Sequence, residues 1–118
     1  MPKVLVVDDA MFMRLVLTRL LKKHGYETVE AEDGNRALEQ YTAHSPDAVL
    51  LDITMPEKDG LQVLKELRER DPDARVVMLT ALGQQSIVLQ AIKSGARDFI
   101  VKPYESDRVL AAIEKAIR

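Results

Sequence analysis

The sequence contains no cysteine, which excludes disulfides, thiolate metal sites and a thiol nucleophile. Nothing therefore marks an oxidising compartment, and a reducing cytoplasm fits. Aromatic residues make up only 4% of the chain and tryptophan is absent, so the core has to be assembled from Leu, Val, Ile, Ala and Met. Neither sign of charge dominates: 17 Lys and Arg against 19 Asp and Glu give a formal net charge of −2. That leaves no basic stripe to neutralise phosphates and argues against nucleic acid as a direct partner. No apolar run approaches the roughly 20 residues that a membrane helix needs. The opening Met1-Pro2-Lys3 enters an apolar strand directly, without the layout of a signal peptide. No membrane insertion and a cytoplasmic location are the expectations.

What is present suits one domain over residues 1–118: 47% hydrophobic residues for a core and 31% charged residues for a surface. The chain is organised around Ala48-Val49-Leu50-Leu51-Asp52. A run apolar at every position reads as a strand buried on both faces of a parallel sheet. It stops abruptly on a carboxylate, and Pro56 bars its continuation. Val4 to Val7 repeats the design and ends on Asp8-Asp9. Glu27 to Ala31 is less apolar and predicts an edge strand. Val76 to Leu79 stops at Thr80, and Phe99 to Val101 stops at Lys102-Pro103.

Helical periodicity fills the intervals. The first helix is predicted from about Met11 to His24, with Leu15, Leu17, Leu20 and Leu21 as its apolar face and Gly25 beyond its basic last turn. Met11, Phe12 and Met13 are expected in helix core and pocket rim. His24 and His44 fall at helix ends, where the helix dipole accounts for them. Asp33 is a candidate N-cap for a helix to about His44, broken at Ser45-Pro46. Further helices are predicted over 61–68, 84–94 and from Ser106 or Asp107 to the C-terminus. Five strand–helix units with short connections imply an α/β fold with a parallel sheet, right-handed crossovers and helices on both faces. The commonest solution is a flavodoxin-like three-layer sandwich of order 2-1-3-4-5.

In that order Asp8, Asp9, Asp52, Thr80 and Lys102 share the carboxyl edge of the sheet, where such folds bind ligands. Singly, each has a plain explanation as a turn residue, cap or surface charge; their common edge favours a site. Two carboxylates roughly 5 Å apart at an effective dielectric of about 20 repel by about 3 kcal/mol. Lys102 offsets part of this, and a hard divalent cation such as Mg²⁺ suits the remainder. A carboxylate beside such a cation, an ammonium and a hydroxyl is equipped to accept a phosphoryl group.

Together, Asp8-Asp9, the stretch from Leu51 to Gly60, Thr80-Ala81 and Lys102-Pro103 resemble the receiver domain of bacterial two-component response regulators over essentially the whole chain. Asp8 to Arg14 and Ala81 to Gln85 look most like the stand-alone chemotaxis members. The resemblance implies that Asp52 accepts a phosphoryl group from a sensor histidine kinase. It implies direct Mg²⁺ ligation by Asp9, Asp52 and the Thr54 backbone carbonyl, with Asp8 acting through water. Lys102 would contact the phosphoryl group, and the Lys102-Pro103 bond would be cis. Thr80 and Phe99 match the switch pair. Ala81 and Leu82 flank access to the phosphoryl site, and Leu82 would restrict water. The output would be a protein-binding surface made by the fourth helix, fifth strand and fifth helix. In a chemotaxis member its target is a downstream protein such as the flagellar motor, and the domain would be a monomer. The chain stops after the fifth helix, which suits a stand-alone regulator; a receiver cut from a larger transcription factor is the alternative. An aspartyl-phosphate phosphatase or phosphotransferase would want a second Asp where Thr54 stands. A nucleotide-binding domain would want a glycine-rich turn after the first strand, and Asp8 to Arg14 has no glycine.

Overall fold

A computed structural model describes residues 1–53, 55, 58–81 and 85–118. Five strands alternate with five helices: β1 (Lys3–Val7), α1 (Met11–Lys23), β2 (Glu27–Ala31), α2 (Gly34–His44), β3 (Ala48–Asp52), α3 (Gly60–Arg70), β4 (Val76–Thr80), α4 (Gln85–Lys93), β5 (Asp98–Val101) and α5 (Ser106–Ile117). The strands form one parallel sheet of order β2-β1-β3-β4-β5. This is the expected flavodoxin-like doubly wound arrangement, and β2 is at the edge.

The alternation of side chains along each strand builds two cores. Leu5, Val7, Val49, Leu51, Val76 and Met78 face α2, α3 and α4, meeting Leu38, Leu64, Leu67 and Ala91. Val4, Val6, Leu50, Val77 and Leu79 face α1 and α5, meeting Leu17, Leu21, Val109 and Ile113. All five residues of β3 and of β4 are buried. Each fully buried Val or Leu contributes about 1.5–3 kcal/mol of transfer free energy, so the apolar runs hold the central strands rigidly under whatever their ends carry.

Local signals mostly hold. The Asp33 carboxylate caps α2 by accepting from Arg36 N at 2.8 Å. Gly25 and Gly95 take positive φ after α1 and α4, the left-handed conformation a helix end favours glycine for. Two expectations are corrected. Met11 and Phe12 are 73% and 72% exposed, and Leu15 also faces solvent; the inward face of α1 is Leu17, Thr18 and Leu21. α5 is capped neither by Ser106 nor by Asp107: Glu105 is the N-cap and Ser106 the first helical residue, with no side-chain cap.

Candidate functional site

The register brings the polar strand ends together. β1 and β3 are neighbours, with Val7 opposite Leu51, so Asp8 and Asp9 emerge beside Asp52. One oxygen from each of Asp8, Asp9 and Asp52 lies within 4.8 Å of the others. Asp8 is 1% and Asp52 4% exposed, whereas Asp9 faces solvent. β4 and β5 close the other side. Lys102 Nζ donates to Asp52 Oδ1 at 3.2 Å, and its amide donates to the Thr80 carbonyl at 2.7 Å. The Lys102-Pro103 peptide is cis.

Asp8 is held on several sides. Its amide donates to the Ala31 carbonyl at 3.2 Å, and its Oδ1 accepts from Ala10 N at 2.9 Å. Its Oδ2 is buried without a hydrogen-bond partner among the described residues. Burial raises the pKa of Asp8, the Ala10 hydrogen bond lowers it, and the Asp52 charge raises it again, for a net rise. A buried, unsatisfied carboxylate oxygen beside two further carboxylates is costly in isolation. It fits a hard cation with oxygen ligands, and this donor set suits Mg²⁺.

Thr80 is buried, and its hydroxyl lies 3.5 Å from the Ile100 carbonyl, where it donates. Phe99 is opposite Met78 and packs with it in the core under α3 and α4. Thr80 follows Met78 by two residues and so leaves the same face of the sheet. The Phe99 carbonyl accepts from Arg108 Nη2 of α5 at 2.8 Å. Ala81 is exposed just beyond β4. Thr54 and Leu82 lie outside the described residues.

Three features escaped the sequence reading. Gly60 opens α3 directly against the end of β3, and a Cβ there would fall on the Asp52 carbonyl oxygen and the Ile53 Cα. Asp59 accepts from Gln62 N at 2.9 Å, and Gly60 N donates to the Ile53 carbonyl at 2.8 Å, so this turn fixes the chain after Asp52. The Tyr104 hydroxyl is buried near the acidic group without a partner among the described residues. Burial, with the charges of Asp8 and Asp52, pushes its pKa up to about 12. Its place after Lys102-Pro103 was the available signal. The third feature is Arg14, which reaches the Asp8 carbonyl.

Residues 4–114 match the family model of the response regulator receiver domain. The chain belongs to this family. It is 54% identical over 116 residues to the chemotaxis protein CheY of Bacillus subtilis, covering 98% of this chain and 97% of the relative. It is 53% identical over 119 residues to CheY of Listeria monocytogenes, covering both in full. A receiver domain from Clostridium thermocellum superposes with a TM-score of 0.95 at 30% identity, covering 99% of this chain and 94% of that one. The receiver assignment stands over the phosphatase and nucleotide-binding readings.

Proposed function

We propose that this receiver domain is a phosphorylation-activated switch of a two-component system, with Asp52 as its phosphoacceptor. The observation that carries the reading is the buried Asp52 carboxylate at the end of a rigid central strand, between Lys102 and the Asp8–Asp9 pair. An Asp52 oxygen attacks the phosphorus of a phosphohistidine on a sensor kinase. The P–N bond breaks, its electron pair returns to the imidazole, and an acyl phosphate forms. Lys102 steadies the charge on the transferring phosphoryl oxygens. Asp9 and Asp52, with Asp8 alongside and the Thr54 carbonyl by resemblance, would hold Mg²⁺. The bound cation supplies positive charge against which both the carboxylates and the incoming phosphoryl group are stabilised.

Thr80 then turns its hydroxyl from the Ile100 carbonyl toward the new phosphoryl oxygens, and Phe99 moves inward beside it. The α4-β5-α5 surface changes with them, a shift between two populations. The domain works by binding rather than by turning over an external substrate, although it chemically assists its own phosphorylation and dephosphorylation. By resemblance to the family, Ala81 and Leu82 would control access to the phosphoryl site. Residues 1–118 act as one receiver unit, a monomer in the cytoplasm; no helix among the described residues is long and apolar enough to cross a membrane. Likeness to proteins named CheY supports a chemotaxis role, with a downstream protein such as the flagellar motor as target.

Intact mass after incubation with acetyl phosphate, with and without Mg²⁺, tests the chemistry. A Mg²⁺-dependent gain of one phosphoryl group that Asp52→Asn abolishes is the expected result. No gain in the intact chain, or an equal gain in the variant, refutes the assignment of Asp52.

A further inference from the structure

One basic side chain outside the acidic cluster holds the main chain that carries it. Arg14 lies in the first turn of α1, with its side chain 14% exposed. Its Nη1 donates to the Asp8 carbonyl at 2.8 Å, and its Nε donates to Glu30 Oε1 at 3.2 Å. Glu30 lies in β2 opposite Val6 of β1. The Glu30 carbonyl in turn accepts from Gln40 Nε2 of α2 at 3.1 Å. The guanidinium is therefore oriented from the edge strand while it grips the end of the neighbouring strand.

The Asp8 carbonyl belongs to the peptide that joins Asp8 to Asp9. Its orientation sets the direction in which both carboxylates leave the main chain. With its amide bonded to Ala31 and its Oδ1 to Ala10 N, Asp8 needs only its carbonyl fixed for the peptide plane to be determined. Arg14 supplies that bond with a charged donor, about twice as strong as a neutral one. A carbonyl released from Arg14 would turn toward another donor, and the carboxylates would turn with it.

We propose that Arg14, oriented by Glu30, is a positioning residue for the Mg²⁺ site: it aims the Asp8–Asp9 pair by holding the peptide between them. The inference rests on the reading that the acidic cluster holds Mg²⁺. Groups that orient metal ligands typically carry 10- to 100-fold in metal affinity. The effect belongs in Mg²⁺ affinity itself, ahead of any phosphoryl transfer.

Calorimetric titration with MgCl₂ of the intact chain and of Arg14→Ala, Arg14→Lys, Glu30→Ala and Asp9→Asn tests this, with circular dichroism and thermal melts in EDTA alongside. Arg14→Ala is expected to weaken Mg²⁺ binding by about tenfold or more. Arg14→Lys, whose ammonium can still donate to a carbonyl, recovers most of the loss, and Glu30→Ala falls between. A folded Arg14→Ala that binds within about twofold of the intact chain overturns the proposal, whatever its melting temperature, because a merely structural role would appear only in the melt. Should Arg14→Ala not fold, Glu30→Ala decides, since that side chain is half exposed: unchanged affinity there overturns the proposal as well. Mg²⁺ binding that is absent in the intact chain, or undiminished in Asp9→Asn, would instead refute the underlying site, a distinguishable failure.

Discussion

Replacing Asp8 by Asn should stabilise the metal-free protein. Asp8 and Asp52 are both buried, and their nearest carboxylate oxygens lie within 4.8 Å. At an effective dielectric of about 20, two unit charges at that separation repel by about 3.5 kcal/mol. Lys102, bonded to Asp52 Oδ1 at 3.2 Å, cancels part of the field that Asp8 experiences. Asp9 is exposed, so solvent and salt screen most of its share. The net relief is about 1–2 kcal/mol. Asn retains the Oδ1 acceptor for Ala10 N and puts a donor in place of the buried, unpartnered Oδ2. For a chain of this size the gain corresponds to a rise in melting temperature of roughly 3–10 °C. The sign agrees with the raised Asp8 pKa, whose largest cause is burial. An acid raised on folding contributes favourably below its unfolded pKa and loses that contribution as pH rises through the folded value. At neutral pH the ionised group is therefore a cost. Differential scanning calorimetry at pH 7 in EDTA provides the measurement. Saturating Mg²⁺ should reverse the order, because about 100-fold excess over the dissociation constant adds about 2.7 kcal/mol to the intact chain. A variant that melts at or below the intact chain in EDTA would refute the claim that ionised carboxylates strain this site.

Asp52→Asn should also raise the metal-free melting temperature, but by less than Asp8→Asn, because it forfeits the Lys102 ion pair; a larger rise would contradict the electrostatic account. Gly60→Ala places a methyl group against the Asp52 carbonyl and Ile53 Cα. Backbone cannot yield as a flexible side chain does, so a loss of about 2–4 kcal/mol by urea denaturation is expected, together with slower phosphorylation by acetyl phosphate. Tyr41 donates to Asp71 Oδ2 at 2.6 Å, and this bond is the largest cause of the lowered Asp71 pKa. Tyr41→Phe should raise that pKa in a carboxyl NMR titration. It should cost at most about 1 kcal/mol at pH 7, a difference that vanishes as pH falls through the folded Asp71 value.

The strands and the site were legible for one physical reason and the remainder was not for another. A parallel strand covered on both faces is apolar at every position, so Val4 to Val7, Ala48 to Leu51 and Val76 to Leu79 declare themselves, and the first polar residue after each marks the edge of the core. Asp8, Asp52 and Thr80 are such residues, and burial of all three follows from their closing β1, β3 and β4. The face of α1 was less legible. Met11, Phe12 and Leu15 look inward by composition, yet they face solvent and the helix docks through Leu17 and Leu21. Gly60 and Arg14 were legible only as a turn residue and as a polar helix position. Their roles depend on where separate elements meet: α3 starting under the Asp52 carbonyl, and the β1–β2 register that puts Glu30 within reach of Arg14. Strand ends can be read from local pattern because they are set by the length of one buried run. The groups that aim the carboxylates at those ends are set by pairings between distant segments, and those become visible only once the sheet is assembled.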